Sequence, residues 1–176
     1  MNTLIIKNCI FYFTFWSIMK YSRYNYSTEK ESTIFEFTSI GNKGHVKKLV
    51  QYTEMNIEQY YNLGFGDYNE ESGEIDDEII TNNGDSLKIL ATVVSTIYAF
   101  TAKYPKAYVY ATGSNDVRTR LYRMGITINL EELKDDFYVY GLKINNSFEA
   151  FIPGEDYLGF LVKRKNEKIE IWQLKT

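Results

Sequence analysis

The chain has 176 residues, of which 44 % are hydrophobic and 24 % are charged, and these proportions indicate a globular domain rather than a disordered one. Its formal net charge of −3 excludes a general basic field, so any nucleic-acid binding must come from a local patch. One cysteine, Cys9, and one histidine, His45, exclude a disulfide framework, a cysteine-based zinc site and a multi-histidine metal site. We expect no cofactor and a reducing, cytoplasmic setting.

The first twenty residues differ in composition from the rest of the chain. Residues 9–19 form an apolar run that follows one lysine, Lys7, but no small-residue cleavage site comes after it. The run is short and interrupted by polar residues, so we expect no membrane span. We interpret residues 1–18 as an extension read from an upstream start codon, with an extra strand or helix as the alternative. Residues 19–176 are then expected to form a single domain.

Strands are predicted before the first helix. Residues 34–52 have the pattern of a β-hairpin, because apolar residues flank a turn with the sequence GNKG at residues 41–44. Residues 59–69 predict a third strand, in which Gly64 and Gly66 indicate a bulge or a close backbone approach. An acidic loop follows this strand.

The clearest helix is predicted over residues 84–103. Asn83 or Asp85 can cap its start, and Pro105 follows its end. Its apolar residues recur at helical spacing and predict one buried stripe, formed by Leu87, Leu90, Ala91, Val94, Ile97 and Tyr98.

A second helix is predicted over residues 115–124, after a strand over residues 106–114. Ser114 or Asn115 can cap it, and Val117, Leu121 and Met124 share the side that we expect to be buried. Three more strands are predicted over residues 136–144, 156–165 and 168–174. The expected class is α+β, with a mostly antiparallel sheet of about six to eight strands and these two main helices packed on it.

The start of the second helix is the candidate binding site. Backbone N–H groups at a helix start favour an anion, and arginine can grip a phosphate through paired hydrogen bonds. Helical spacing places Arg118 on the other side of the apolar stripe from Arg120 and Arg123, so Arg118 is best placed to reach such an anion, with Arg120 as the second choice. The alternative is that these arginines pair with acidic residues of the protein itself. The candidate anion site comprises Gly113, Ser114, Asn115, Arg118, Arg120 and Arg123.

An acidic stretch over residues 67–78 is the second candidate. It fails the pattern of a calcium-binding EF-hand, because the required glycine comes one position late, at Gly73. A solvated hairpin tip is the favoured interpretation, and we expect no resident metal. The alternative is a loose magnesium site or acidic cluster drawn from Asp67, Asp76, Asp77 and Asp85.

Four motifs in order resemble a family of small uncharacterised bacterial proteins of the Bacteroidetes type, a domain of unknown function. They are FEFTSIGNKGHVKKLVQYT, YNLGFGDYN, EIDDEIITNNGDSLKILATV and ATGSNDVRTRLYRMGI, and the resemblance covers about residues 19–165. It implies no established activity and no assigned catalytic residue.

The stretch AYVYATGSNDVRTRLYRMGI is also similar, more weakly, to a strand and helix near the end of GNAT acetyltransferases. This similarity implies a pair of parallel strands that separate, with a cleft for coenzyme A beside Gly84. The acyl-CoA signature of that fold, Arg/Gln-x-x-Gly-x-Gly/Ala, is absent, and TNNGDSLKIL stands in its place.

Three functions remain open from the sequence. The first is a module that binds an anionic ligand, a nucleotide or nucleic-acid phosphate, in a toxin–antitoxin or phage-defence setting. The second is a degenerate acyltransferase related to the GNAT proteins. The third is a structural interaction domain whose arginines pair with its own acidic loop. The expected partners are accordingly a nucleotide, RNA or another protein.

Overall fold

One nine-stranded sheet and three helices make up the part of the chain that the computed structural model describes, residues 21–76 and 81–165. The strands are Tyr26–Thr28 (β1), Ile34–Gly41 (β2), Gly44–Glu54 (β3), Tyr60–Tyr68 (β4), Ile75–Asp76 (β5), Tyr108–Ala111 (β6), Phe137–Leu142 (β7), Phe148–Ala150 (β8) and Gly159–Arg164 (β9). The helices are Ser86–Lys103 (α1), Asp116–Ile128 (α2) and Leu130–Asp136 (α3).

The strand order is β1-β2-β3-β4-β6-β9-β7-β8, with β5 paired to the far end of β4. The pairing of β4 with β6 is parallel, and the other pairings between the described strands are antiparallel. The predicted hairpin is present, since β2 and β3 pair from Ile34↔Gln51 to Gly41↔Gly44. The predicted α+β class with a mostly antiparallel sheet is confirmed.

Helix α1 packs on one face of the sheet. The ring of Tyr52 in β3 stacks on Phe100 with 4.0 Å between centroids, and the Tyr52 hydroxyl lies 2.9 Å from Thr96 Oγ1. The predicted stripe is largely correct, but Leu87 is 48 % exposed. Burial extends to polar residues of α1 such as Thr92, because Thr92 Oγ1 accepts a hydrogen bond from the Tyr24 backbone N–H.

Helix α2 is rotated relative to the prediction. Val117 was expected on the buried side but is 58 % exposed, whereas Arg118 is only 7 % exposed. The helix also continues beyond residue 124 to Ile128, and Gly125 within it lies close to α1, since a Cβ there would be 3.2 Å from the Leu90 side chain. The buried side of α2 is therefore set by polar contacts to the sheet as well as by its apolar residues.

The structure adds elements that the sequence pattern did not predict, namely the short strands β1 and β8 and the helix α3. Two predictions, the extension over residues 1–18 and the strand over residues 168–174, lie outside the described residues. Within the described ranges, no helix is both long and apolar enough to cross a membrane.

Candidate functional site

Strands β4 and β6 separate shortly after they pair. They run parallel for three residue pairs, ending at Asn62↔Tyr110, after which β4 continues to Tyr68 and β6 ends at Ala111. The β4 edge is paired again further on, where β5 joins it at Asp67↔Asp76. Within the described part of the chain, residues 63–66 of β4 thus have no strand beside them on this edge. We call this opening the split.

Two side chains of α2 cover the β4 edge in the split. The Tyr122 hydroxyl donates to the Leu63 carbonyl oxygen at 3.2 Å, and Arg118 Nη1 donates to the Phe65 carbonyl oxygen at 3.1 Å. Arg118 Nη2 also donates to the Asp76 carbonyl oxygen in β5, at 3.1 Å. Buried backbone carbonyls require donors, so these contacts explain why Arg118 and Tyr122, four residues apart, face the sheet.

The hydroxyl of Tyr122 remains a donor at neutral pH. Burial raises the pKa of Tyr122 to about 12, although the positive charge of Arg118 opposes that rise. The phenol therefore keeps its proton and its hydrogen bond to the Leu63 carbonyl over the physiological range.

A cavity of about 390 Å³ lies in the split, beside the middle of β4 and at the carboxyl end of β6, where the parallel pairing of these two strands ends. Its volume is in the range of small-molecule sites. Among the lining residues that the structure describes, Arg118 is the one that carries a charge. The uncharged polar side chains around it come from β3, β4, the connection after β6 and α2, and they are Gln51, Thr53, Asn62, Thr112, Ser114 and Tyr122.

The start of α2 faces this cavity. Asn115 is the N-cap, since its Oδ1 accepts a hydrogen bond from the Arg118 backbone N–H at 3.0 Å. Gly113 and Ser114 line the cavity, and a Cβ at Gly113 would come within 2.3 Å of the Thr119 backbone nitrogen. A helix start carries partial positive charge, so Arg118 and the helix start act on the cavity with the same sign.

The structure separates the three arginines. Arg118 lines the cavity, whereas Arg120 is exposed. Arg123 forms an ion pair with Asp156 and donates to the Glu155 carbonyl oxygen at 3.0 Å. Of the predicted anion-site residues, the structure therefore brings together Gly113, Ser114 and Arg118, with Asn115 as the cap beside them.

The aspartates of the candidate magnesium site or acidic cluster take part in different contacts. Asp67 forms an ion pair with buried Lys48 and accepts a hydrogen bond from Thr81. Asp76 is opposite Asp67 in the register of β4 and β5. Asp77 lies outside the described residues.

Asp85 belongs to a separate network at the start of α1. Its Oδ2 accepts hydrogen bonds from the hydroxyls of Tyr24 and Ser39, both at 2.7 Å. The amide of Asn83 donates to Ser39 Oγ at 2.8 Å and so ties the network to β2. Among residues 21–76 and 81–165, no three histidine, cysteine, aspartate or glutamate side chains are placed to hold a metal ion.

Sequence reasoning missed the cavity residues on β3 and β4. Gln51, Thr53 and Asn62 carry no recognisable motif, and only the fold places them beside α2. One available signal was the polar side of each strand, because strand residues alternate between the two faces of a sheet.

Comparison with known proteins gives a family but no function. No curated protein and no solved structure matches the chain. Residues 20–165 match a family of unknown function, DUF6934, and this range contains the whole of the split and its cavity. Because the match covers most of its length, the chain belongs to the DUF6934 family.

Proposed function

We propose that this protein is a binding module for an anionic ligand of the nucleotide class, held in the split cavity. The observation that supports it is a polar cavity at the start of α2, where the parallel pairing of β4 and β6 ends, with Arg118 as the one charged residue among the described residues that line it. Crevices at the carboxyl ends of parallel strands are common ligand sites, and a helix start favours phosphate.

Arg118 has a fixed position in this proposal. Its hydrogen bonds to the carbonyl oxygens of Phe65 and Asp76 hold the guanidinium against β4 and β5. We therefore assign it the role of a positive charge at the cavity wall. The adaptable polar contacts to the ligand come from Gln51, Asn62 and Ser114, which line the same cavity.

The test is calorimetric titration of the protein with ADP, inorganic pyrophosphate and coenzyme A. Asn62→Asp and Gln51→Glu each add one negative charge with almost no change in shape. Because charges a few ångströms apart interact by more than 1 kcal/mol in a partly shielded site, we expect each variant to weaken ADP binding at least about tenfold.

The matched control is Asn56→Asp, at an exposed position between β3 and β4 that does not line the cavity. It makes the same chemical change, so we expect it to leave ADP affinity unchanged. Equal affinity of Asn62→Asp and wild type for ADP would contradict the proposal, and so would absence of binding to all three probes.

A degenerate acyltransferase is the second candidate, favoured by the parallel pair β4 and β6 that separates. Two observations weigh against it. Gly84 contacts Asn42 and does not line the split cavity. The carbonyl oxygens of Leu63 and Phe65 already accept hydrogen bonds, so the β4 edge cannot pair with an extended amide-bearing ligand there. Release of free thiol from acetyl-CoA, absent without protein, would favour this candidate.

The structural interaction domain is the third candidate. It is supported by the contact of Arg118 with the acidic stretch, through the backbone carbonyl of Asp76, whereas Arg123 pairs with Asp156 outside that stretch. The biological setting in our proposal is the bacterial cytoplasm, in a toxin–antitoxin or phage-defence system. It is drawn by analogy and from the presence of one cysteine in the sequence.

A further inference from the structure

A group of tyrosines lies on the sheet face opposite α1. Strand residues alternate between faces, and Val109 of β6 is fully buried on the α1 side, so its neighbours Tyr108 and Tyr110 lie on the opposite side. Register extends this face across four strands, because Tyr60 is paired with Tyr108, and Leu161 with both Tyr110 and Tyr140. We call it the tyrosine face, formed by Tyr60, Tyr108, Tyr110, Tyr138 and Tyr140.

The tyrosine face offers aromatic surface to a ligand. Leu161 lies between Tyr110 and Tyr140 and is 8 % exposed, so it forms a floor beneath them. The Tyr110 ring leans over Gly159, whose missing side chain leaves room for it. Tyr138 is 52 % exposed. In the described part of the chain, neither Tyr110 nor Tyr140 stacks on another ring.

Lysines border these rings. Lys163 Nζ lies 4.5 Å from the centroid of the Tyr108 ring, and Lys165 Nζ lies 5.5 Å from that of Tyr138. Burial and the nearby charge of Lys106 lower the pKa of Lys163, which indicates that cations are concentrated here. By alternation, no aspartate or glutamate of β4, β6, β7 or β9 lies on this face. The charge that the described residues of these strands contribute to this face is therefore positive, on a protein with net charge −3.

The tyrosine face is continuous with the split. Asn62 lines the cavity and is the register partner of Tyr110, so the cavity borders the edge of the face. From β6 to β7 the distance is about 10 Å, because neighbouring strands lie about 4.8 Å apart. A ligand that reaches both the cavity and Tyr140 must therefore span at least about 10 Å.

We propose that the tyrosine face binds single-stranded nucleic acid, with its bases stacked on Tyr110, Tyr138 and Tyr140 and one phosphate in the split cavity. Aromatic side chains bordered by cations are the usual platform for single strands, because every base has a stacking face. The tyrosine rings favour this ligand over an acidic protein, because unpaired bases can stack on the rings, whereas an acidic protein would contact the lysines alone. The phosphate position rests on the proposed function, whereas the stacking surface does not.

The test is fluorescence anisotropy with labelled single-stranded RNA and DNA, each eight nucleotides long and of the same mixed base sequence. We expect Tyr140→Ala and Tyr138→Ala each to weaken binding by about fivefold or more, and Tyr140→Phe to retain it because the ring is kept. Thermal melting of each variant confirms that it is folded. Comparing the RNA and DNA arms shows whether the 2′-hydroxyl contributes.

The outcomes separate this inference from the proposed function. If both alanine variants bind the strands as wild type does, the stacking inference is overturned, whatever Asn62→Asp does to ADP binding. If the alanine variants bind ADP normally but lose affinity for the labelled RNA and DNA, the inference is supported. If wild type is a dimer by sedimentation and Tyr140→Ala is a monomer, the face is an interface between copies, and the inference is overturned.

Discussion

Arg118 of α2 donates a hydrogen bond to the carbonyl oxygen of Phe65, at the point where β4 has lost its neighbouring strand. This contact connects the fold to the candidate site. The guanidinium that satisfies the open β4 edge also supplies the positive charge in the cavity wall. Substitutions at Arg118 are therefore expected to affect stability as well as binding.

Arg118→Ala is expected to destabilise the protein by about 2–4 kcal/mol, because it leaves the carbonyl oxygens of Phe65 and Asp76 without these donors. Arg120→Ala removes an equal charge from an exposed position of the same helix and is expected to change the free energy of unfolding by less than about 0.5 kcal/mol. Urea denaturation measures both values. Similar values for the two variants would show that Arg118 does not hold the split together.

Tyr122→Phe is expected to cost about 1 kcal/mol, because it removes only the hydroxyl that donates to the Leu63 carbonyl oxygen and keeps the buried ring. Denaturation of the variant beside wild type measures the loss. A stability equal to that of wild type would mean that water replaces the hydroxyl at β4.

Gly66 and Gly64 lie two residues apart on β4, near β5, so alanine substitutions at these positions can be compared directly. A Cβ at Gly66 would lie 2.7 Å from the Asp76 backbone oxygen, whereas one at Gly64 would lie 3.2 Å from the movable end of Ile75. Gly66→Ala is expected to cost about 1–3 kcal/mol by displacing β5, and Gly64→Ala less than that. The order of the two unfolding free energies is the readout, and the reverse order would contradict the close approach of β5.

Glu29 predicts a pH dependence of stability. Its carboxylate accepts hydrogen bonds from the backbone N–H groups of Ser32, Thr33 and Ile34. Although burial opposes ionisation, these bonds lower the pKa of Glu29 from 4.5 to about 2. Because the pKa is lower in the folded state, the stabilisation is complete above pH 4.5 and is lost as the pH falls towards 2.

The variant Glu29→Gln removes this titration. The stability difference between wild type and variant is expected to be largest near neutral pH and to shrink steadily below pH 4.5. Glu58→Gln is the control, since Glu58 is exposed and forms none of the ion pairs found in the described residues. A difference for Glu29→Gln that stays constant with pH would contradict the assignment.

Ser114→Asp separates binding from folding. Ser114 is exposed beside the N-cap of α2, where a negative charge is tolerated, so stability is expected to change by less than about 0.5 kcal/mol. The added charge faces the cavity and is expected to reduce affinity for ADP. Melting and titration of the same sample check both statements, and unchanged affinity would place the anion elsewhere.

The sequence predicted the class, the β2–β3 hairpin and both main helices, because each rests on local apolar periodicity and turn residues. It placed Val117 on the buried side of α2 and was wrong, since periodicity alone could not show that β4 offers open carbonyls to Arg118 and Tyr122. Such contacts depend on where two distant strands separate. The three-residue strands β1 and β8 were too short to produce a pattern.

The candidate site was predictable only in part. Gly113, Ser114 and Arg118 lie close together in the chain, and a helix start beside them is a local signal. Asn62 and Gln51 reach the same cavity through strand pairing over long sequence distances, for which the sequence held no marker.

The most direct test of the split cavity as an anion site is a titration of isotope-labelled protein with ADP, followed by backbone amide chemical shifts. We predict saturable shifts at Gly113, Ser114 and Asn62, which line the cavity, and no shift at Lys43 in the exposed β2–β3 turn. Shifts confined to residues away from the split, or no saturable shift at these three amides, would contradict the account.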